Sequence, residues 1–381
     1  MSIERLALVT DGPIERQDGV QRYTATVGEW MADQGIDVHY FTSGPRSEPY
    51  EAHSGTVHTL ARTVSMSGNG NEFGAAVFPR RAQRSMDLLR EGGFDIAHVQ
   101  LPDGPFVGAR VRRALGRTAT AVVGTYHLMP MGKSDEVLLG AVGRLSRHLD
   151  RKLDGLTATS GMVAEFASSV TGRACDVVPP PVQLGSVPRT THTDPVITYT
   201  GRLAKRKGVE SLLHGYAELA NQWSDAPPLQ LIGDGPERHR LERITGQLGL
   251  QSRVSFLGRL SDDEMVDHLR RSAMAVYPAI GGESFGLVLV EAMRSGVPVI
   301  AASNPGYAST LQGHESQLFP PSNPGAFAEA ARRVLSLDNA ERKELITKQH
   351  VTAEQFSLNQ VGPALIESYE QAMVSLHAVV E

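Results

Sequence analysis

The chain has 381 residues, which at about 100–200 residues per domain points to two or three domains and excludes a peptide hormone, a lone helix bundle or a disulfide-stapled scaffold. Its 37 basic residues stand against 42 acidic ones, a formal net charge of −5, and 41% of it is hydrophobic, so neither a disordered chain nor a basic nucleic-acid binder is indicated. A single cysteine, Cys175, excludes an internal disulfide and a cysteine zinc site and fits a reducing compartment. The N-terminus lacks the basic start and long apolar core of a signal peptide. No run nears the ~18 apolar residues of a membrane span, so a cytoplasmic protein is expected.

Taken in chain order, the short apolar runs at 6–10, 36–42, 96–99, 120–125 and 156–159 predict buried parallel strands. Between them, amphipathic stretches at 20–34, 79–91, 104–116, 134–152 and 160–170 predict helices. Residues 177–188 break the rhythm: Pro179, Pro180 and Pro181 can continue neither a helix nor an interior strand, which predicts a semi-rigid linker. Strands then follow at 196–200, 229–232, 254–257, 274–277 and 297–301, with helices at 208–222, 236–248, 261–271 and 284–295, and a helical C-terminus from about 323. Alternating strands and helices imply two doubly wound α/β domains facing each other across a cleft, with ligands beyond the carboxyl ends of the strands.

The stretch from Tyr277 to Ile300 carries the most chemistry. A strand ends at Tyr277, Gly281-Gly282 make a turn, and a helix is expected to start near Ser284 and stop at Gly296. The amides of Ser284, Phe285, Gly286 and Leu287 then form an anion site at the helix N-terminus. Glu283 and Glu291 are eight residues apart, ~12 Å along a helix, wider than the ~5–9.5 Å of paired glycosidase carboxylates. They suit the two ends of a polyhydroxylated ligand; a capping and a solvated glutamate are the plain alternative.

Beyond the strand at 196–200, Arg202, Lys205, Arg206 and Lys207 put four cations in six residues, enough for a diphosphate unless they form only a solvated loop. The first strand leads to Gly19 just before a helix, without a GxGxxG fingerprint. The strand at 120–125 leads to His127, either a structural histidine or one that bonds a sugar hydroxyl. Walker A, HExxH, Asp-x-Asp and GxSxG patterns are absent from the sequence, so no metal and no cofactor beyond a co-substrate are expected. Arg80, Arg81 and Arg84, and Arg110, Arg113 and Arg117, form stripes that read as solvated helix faces or as contacts to an anionic membrane.

Together, Gly201-Arg202, Lys207-Gly208 and Glu283-Ser-Phe-Gly-Leu-Val-Leu-Val-Glu291 resemble glycosyltransferase family 4, of GT-B fold, over nearly the whole chain. The resemblance implies an N-terminal acceptor domain over 1–185, a C-terminal nucleotide-sugar domain over 186–360, and a final helix, 361–381, packed back on the first domain. It implies Arg202 and Lys207 on the donor diphosphate, Glu291 on the ribose, and Glu283 with the Phe285–Leu287 backbone on the donor sugar. Gly19 then lies by the phosphates and His127 by the transferred sugar.

Within the family, Asp18-Gly-Val-Gln21, the basic helix from Arg80, Gly93-Phe-Asp-Ile-Ala-His98 and Gly281–Gly286 most resemble phosphatidylinositol mannosyltransferases. That likeness implies Gln21, Arg62, Asn69 and Lys133 on the acceptor, and Arg80, Arg81 and Arg84 on the inner face of the plasma membrane. The expected function is metal-independent retaining transfer of a mannose- or glucose-type hexose from a GDP- or UDP-sugar to a lipid headgroup or glycan. A soluble acceptor, an epimerase or phosphorylase of the same fold, and a non-catalytic sugar-nucleotide binder are the alternatives.

Overall fold

The computed structural model of the chain describes residues 2–15, 19–44, 48–68, 71–77, 83–101, 107–116, 118–127, 140, 153–182 and 195–380. They form two compact units, the first made of Met1–Gln183 with Ser357–Glu381 and the second of Leu184–Phe356.

The first unit is built on strands β1 (Arg5–Thr10), β2 (Asp37–Ser43), β3 (Tyr50–Ala52), β4 (Gly55–Gly68), β5 (Asn71–Val77), β6 (Ile96–Gln100), β7 (Ala121–Tyr126), β8 (Gly155–Ala158) and β9 (Asp176–Val177). Their order is β3-β4-β2-β1-β6-β7-β8-β9, parallel apart from β3 and β5, which pair antiparallel with β4. The central strands are buried throughout because helices cover both faces, which is why they read as unbroken apolar runs. The helix Gly19–Asp33 buries Tyr23, Val27 and Met31 against Leu6, Leu8 and Tyr40. The last helix, Leu358–Val380, adds Val361, Leu365, Tyr369 and Ala372 to that same core.

The apolar pattern predicts no strand between residues 42 and 96; the structure adds the β4–β5 hairpin, paired from Arg62 opposite Val77 to Gly68 opposite Asn71. The proline-rich stretch expected as a linker contains the boundary between the units, at Gln183/Leu184, and its first part is packed: Val178, Pro180, Pro181 and Val182 are buried, Val178 N donates to Ala158 O at 2.9 Å, and Val182 bridges to Ser357. Proline lacks an amide hydrogen, so it sits at this sheet edge without breaking a ladder bond. The expected helix 134–152 falls almost wholly outside the described residues.

The second unit is a single parallel sheet of β10 (Val196–Thr200), β11 (Leu229–Ile232), β12 (Val254–Gly258), β13 (Ser272–Tyr277), β14 (Val299–Ala302) and β15 (Leu318–Phe319), in the order β12-β11-β10-β13-β14-β15. Its core joins Ile197, Tyr199, Leu231, Met274 and Val276 to Leu212, Leu213 and Tyr216 of the helix Val209–Gln222 and to Phe327 and Ala331 of the helix Pro324–Leu335.

Buried imidazoles make the first unit sensitive to acid. His58 stacks on Phe41 and His39 with ring centroids 5.0 and 5.1 Å away, and its Nε2 lies 2.9 Å from His39 Nδ1. Burial, reinforced by His39, pushes its pKa down to about 4. His98 Nδ1 lies 2.7 Å from the Tyr369 hydroxyl, and burial pushes that ring down to about 3. An unfolded histidine titrates near about 6.5. As pH falls below that value the unfolded chain takes up protons the fold refuses, so the stability these rings allow is full above about 6.5 and declines toward about 4. Asp11, raised by burial to about 6, has the opposite sign and favours the fold below that pH, but it is one group against several. The melting temperature is expected to fall between about pH 6.5 and about pH 4.5, with a shallower slope for His58→Phe, measured by calorimetry across pH; an unchanged slope would remove His58 from this account.

Candidate active site

In the second unit, β10 lies between β11 and β13, and the chain leaves the two central strands β10 and β13 in opposite directions. A crevice opens at such a switch point, outside the carboxyl ends of the strands. The segments after β10 and β13 both start there. After Thr200 the chain runs through Gly201-Arg202-Leu203-Ala204 into a single 3-10 turn, Lys205–Lys207, closed by Gly208 at φ 70°. A side chain at Gly208 would put its Cβ 2.1 Å from the Pro278 carbonyl, so glycine is required where the two segments touch. Ile280 N donates to Arg206 O across the same seam at 2.8 Å.

The segments meet at Glu283. Its Oε1 accepts from Arg206 Nη1 and from Lys207 Nζ, the latter at 2.9 Å. The three side chains are only 10%, 20% and 13% exposed, for Glu283, Arg206 and Lys207 in turn. Two cations share one carboxylate, so the cluster keeps a net positive charge beside the helix Leu287–Arg294.

The backbone around Glu283 is fixed from behind. Asn304 Nδ2 donates to Ala279 O at 3.0 Å while its Oδ1 accepts from Tyr307 N at 3.0 Å, capping the helix Pro305–Thr310. The Thr310 hydroxyl donates to Phe285 O. Gly306 lets that helix approach so closely that a Cβ would stand 2.0 Å from the Glu283 carbonyl. Beneath lie Tyr199, Tyr277 and Tyr307, all buried, with successive ring centroids 6.5 Å apart. Burial above all, and then the Glu283 charge, pushes the Tyr199 and Tyr307 phenols upward, so this floor stays neutral.

Several expectations shift at this site. The helix starts at Leu287 and not at Ser284, because Gly286 sits at φ 108°, a conformation no helix interior adopts. Its first backbone bond runs from Leu289 N to Gly286 O at 2.9 Å, leaving the Leu287 and Val288 amides ahead of it. Ser284 is half-buried in the preceding bend. The Phe285 ring packs against Phe356 at 4.8 Å, so only its backbone can serve a ligand. Glu291 is half-buried in the second turn, and Arg202 is half-buried with its carbonyl accepting from Tyr199 Oη at 3.0 Å. Arg206 was counted in the cation loop without a role of its own; its contact with Glu283 depends on a turn geometry that composition does not encode.

In the first unit the switch point lies at β1, between β2 and β6. Gly19 is exposed at the first position of its helix. Gln21, in the same first turn, is buried and donates from Nε2 to Asp11 O at 3.3 Å. His127, just past β7, has its Nε2 2.6 Å from Gln100 Oε1 and its ring edge-on to Tyr23, centroids 4.8 Å apart. Burial alone pushes its pKa down to about 3. The helix Gly19–Asp33 therefore brings the Gln21 region and His127 together through Tyr23. Arg62 is exposed on β4, opposite Val77, and Arg84 is exposed on the helix Gln83–Glu91. Arg110 and Arg113 are exposed on the helix Val107–Leu115, whereas Arg112 is buried. Asn69, Arg80, Arg81, Arg117 and Lys133 lie outside the described residues. Among the described residues, no group of three or more His, Cys, Asp and Glu side chains is placed to hold a metal ion, and no helix is long and apolar enough to cross a membrane.

Two doubly wound units with their polar groups at strand carboxyl ends define the GT-B class of glycosyltransferase. Comparison with known proteins agrees. A profile described as Glycosyltransferase Family 4 matches residues 17–185, and one described as Glycosyl transferases group 1 matches residues 186–350. The chain is 27% identical to a phosphatidyl-myo-inositol mannosyltransferase of Propionibacterium freudenreichii, over 97% of this chain and 95% of that one. It is 31% identical to a D-inositol 3-phosphate glycosyltransferase of Rhodococcus jostii, over 51% of this chain and 43% of that one. Among solved structures it is similar to Anabaena Alr3699/HepE in complex with UDP-glucose, with a TM-score of 0.74 at 17% identity over 96% and 99% of the two chains. The chain is a glycosyltransferase that joins a Family 4 domain to a group 1 domain.

The shared carboxylate yields a prediction independent of any sugar. Glu283→Gln removes the countercharge of Arg206 and Lys207. Inorganic pyrophosphate is expected to stabilise this variant against heat more than it does the wild type, most clearly at low salt. Equal stabilisation would show that Glu283 does not tune the anion affinity of the cluster.

Proposed function

We propose that the chain transfers a hexose, of mannose or glucose type, from a nucleoside-diphosphate sugar to a hydroxyl of an inositol-containing lipid headgroup, with retention of configuration. The observation that carries this reading is the Arg206–Glu283–Lys207 cluster at the crevice between β10 and β13. Such a cluster offers cations to a leaving diphosphate and a carboxylate to sugar hydroxyls within a few ångströms. As the glycosidic bond breaks, negative charge grows on the leaving phosphate oxygens. Lys207, Arg202 and the amides at the start of the helix Leu287–Arg294 stabilise that charge where it develops. The leaving phosphate accepts the proton of the attacking hydroxyl on the same face of the sugar, so no separate base is demanded. Similarity to a phosphatidyl-myo-inositol mannosyltransferase along nearly the full chain supports the lipid acceptor. The exposed Arg84, Arg110 and Arg113 suit a peripheral position on an anionic membrane.

A soluble inositol phosphate is the second reading, favoured by the 31% identity to the D-inositol 3-phosphate enzyme. A thermal-shift panel of GDP, UDP, GDP-mannose and UDP-glucose would select the donor, since a ligand at 100 times its Kd stabilises by about 2.7 kcal/mol. Transfer of that donor to phosphatidylinositol in vesicles, against free inositol phosphate, then separates the two acceptors. Arg202→Ala combined with Lys207→Ala is expected to lower kcat/KM at least about 100-fold, roughly 2.7 kcal/mol of transition-state stabilisation. Activity near wild type would sink the reading.

A further inference from the structure

We propose that Gln100 is a positioning residue for His127: it holds the imidazole as the Nε2–H tautomer and turns the Nδ1 lone pair toward a hydroxyl of a sugar or cyclitol ligand. Placing that hydroxyl at Nδ1 rests on the hexosyltransferase reading; the tautomer itself does not.

Gln100 is the last residue of β6 and pairs in register with Thr125 of β7, two residues before His127. This register brings its Oε1 to 2.6 Å from His127 Nε2. An amide oxygen has lone pairs and no hydrogen, so the imidazole must supply the proton at Nε2. A neutral imidazole carries one N–H, which leaves Nδ1 as an acceptor. No hydrogen-bond partner of Nδ1 is found among the described residues. The ring cannot turn to exchange its nitrogens freely, because Tyr23 stands edge-on to it at 4.8 Å and 72°.

The other half of the amide supplies a second, independent observation. Gln100 is 2% exposed, yet its Nε2 has no hydrogen-bond partner. A buried donor without a partner is uncommon and calls for a ligand or a water. The same holds at two other strand ends: Thr10 Oγ1 closes β1 and Thr159 Oγ1 follows β8, both buried and unpartnered. Strands β1, β6, β7 and β8 are consecutive in the sheet, so three of these four carboxyl ends, those of β1, β6 and β8, hold an unsatisfied polar atom on the face that carries His127. A polyol ring, whose hydroxyls both donate and accept, is the chemistry that meets a row of mixed donors and acceptors. Within it, Gln100 Nε2 gives to an oxygen and His127 Nδ1 takes from a hydroxyl.

The titratable groups facing the ring among the described residues are Tyr23, from the helix Gly19–Asp33, and His98, from β6; behind His98 stands Tyr369 of the last helix. None of them brings a carboxylate to His127. The ring therefore stays neutral in the working range, and its acceptor is not lost to protonation.

Nitrogen NMR of histidine-labelled wild type, from about pH 5 to about pH 8, reads the tautomer directly. The Nε2–H form is expected throughout. The Nδ1–H form would overturn the proposal, since it requires the amide to face the other way. Turnover is read as hydrolysis of UDP-glucose or GDP-mannose, whichever binds. Loss of the group that fixes a functional histidine lowers activity by about 10-fold to about 10⁴-fold. Gln100→Met is accordingly expected to lower kcat at least about 10-fold while KM for the nucleotide sugar moves less than about threefold. Gln100→Glu puts a carboxylate at the Nε2 contact, which favours the imidazolium, so kcat should acquire an acid limb absent from the wild type. A purely structural Gln100 moves neither the tautomer nor the pH profile, and wild-type kcat and pH profile in both variants would overturn the proposal. Should Gln100→Met fail to fold, the wild-type tautomer and the Gln100→Glu profile decide. Should the wild type bind no nucleotide sugar, the transferase reading falls, and the tautomer still decides Gln100.

Discussion

A single carboxylate shared by two cations organises the C-terminal half of this enzyme. Glu283 reaches Arg206 and Lys207 only because β10 and β13 are neighbours whose following segments turn opposite ways. The rest of that half serves this contact. Gly208 lets the cation turn lie on Pro278, Asn304 and Thr310 fix the chain on either side of Glu283, and Gly306 admits a helix directly behind it. Three buried tyrosines keep the floor dry and neutral, so the charges above are little screened from below. The cluster is thus assembled before any ligand arrives, which is what electrostatic catalysis requires of a site.

The first unit solves a related problem with uncharged groups. Its strand ends carry Thr10, Gln100 and Thr159, and His127 is kept neutral by burial. One unit therefore holds ion-paired side chains at its switch point, and the other holds, beside Asp11, hydrogen-bonding groups without formal charge. That division suits the proposed reaction between a nucleotide sugar and a polyol.

Much of the architecture was legible in the sequence, for a physical reason. Parallel strands covered on both faces must be apolar throughout, so β1, β6, β7, β10 and β11 announce themselves as short runs between Gly, Asp and Pro. The hairpin β4–β5 does not, since its strands mix Ser, Thr and Gly. Its one local signal was Asn69-Gly70 in the sequence, a dipeptide favoured in tight hairpin turns. At the site, residue types were readable and partnerships were not. Lys207 and Glu283 are 76 residues apart, and nothing along the chain says that Arg206 rather than Arg202 is the second cation on that carboxylate. Likewise Gln100 is an unremarked polar residue closing an apolar run until its register with β7 brings it to His127.

The last helix, Leu358–Val380, belongs to the unit that opens the chain. The second unit is consequently an insertion between two parts of the first. During synthesis the N-terminal sheet emerges with His98 and the faces of β7 and β8 still uncovered, because Tyr369 and Ala372 have yet to be made. Residues 196–356 leave the ribosome next and contain a complete core of their own. The apolar core of the first unit is therefore complete only once Leu358–Val380 has been translated, after every residue of the second unit's core.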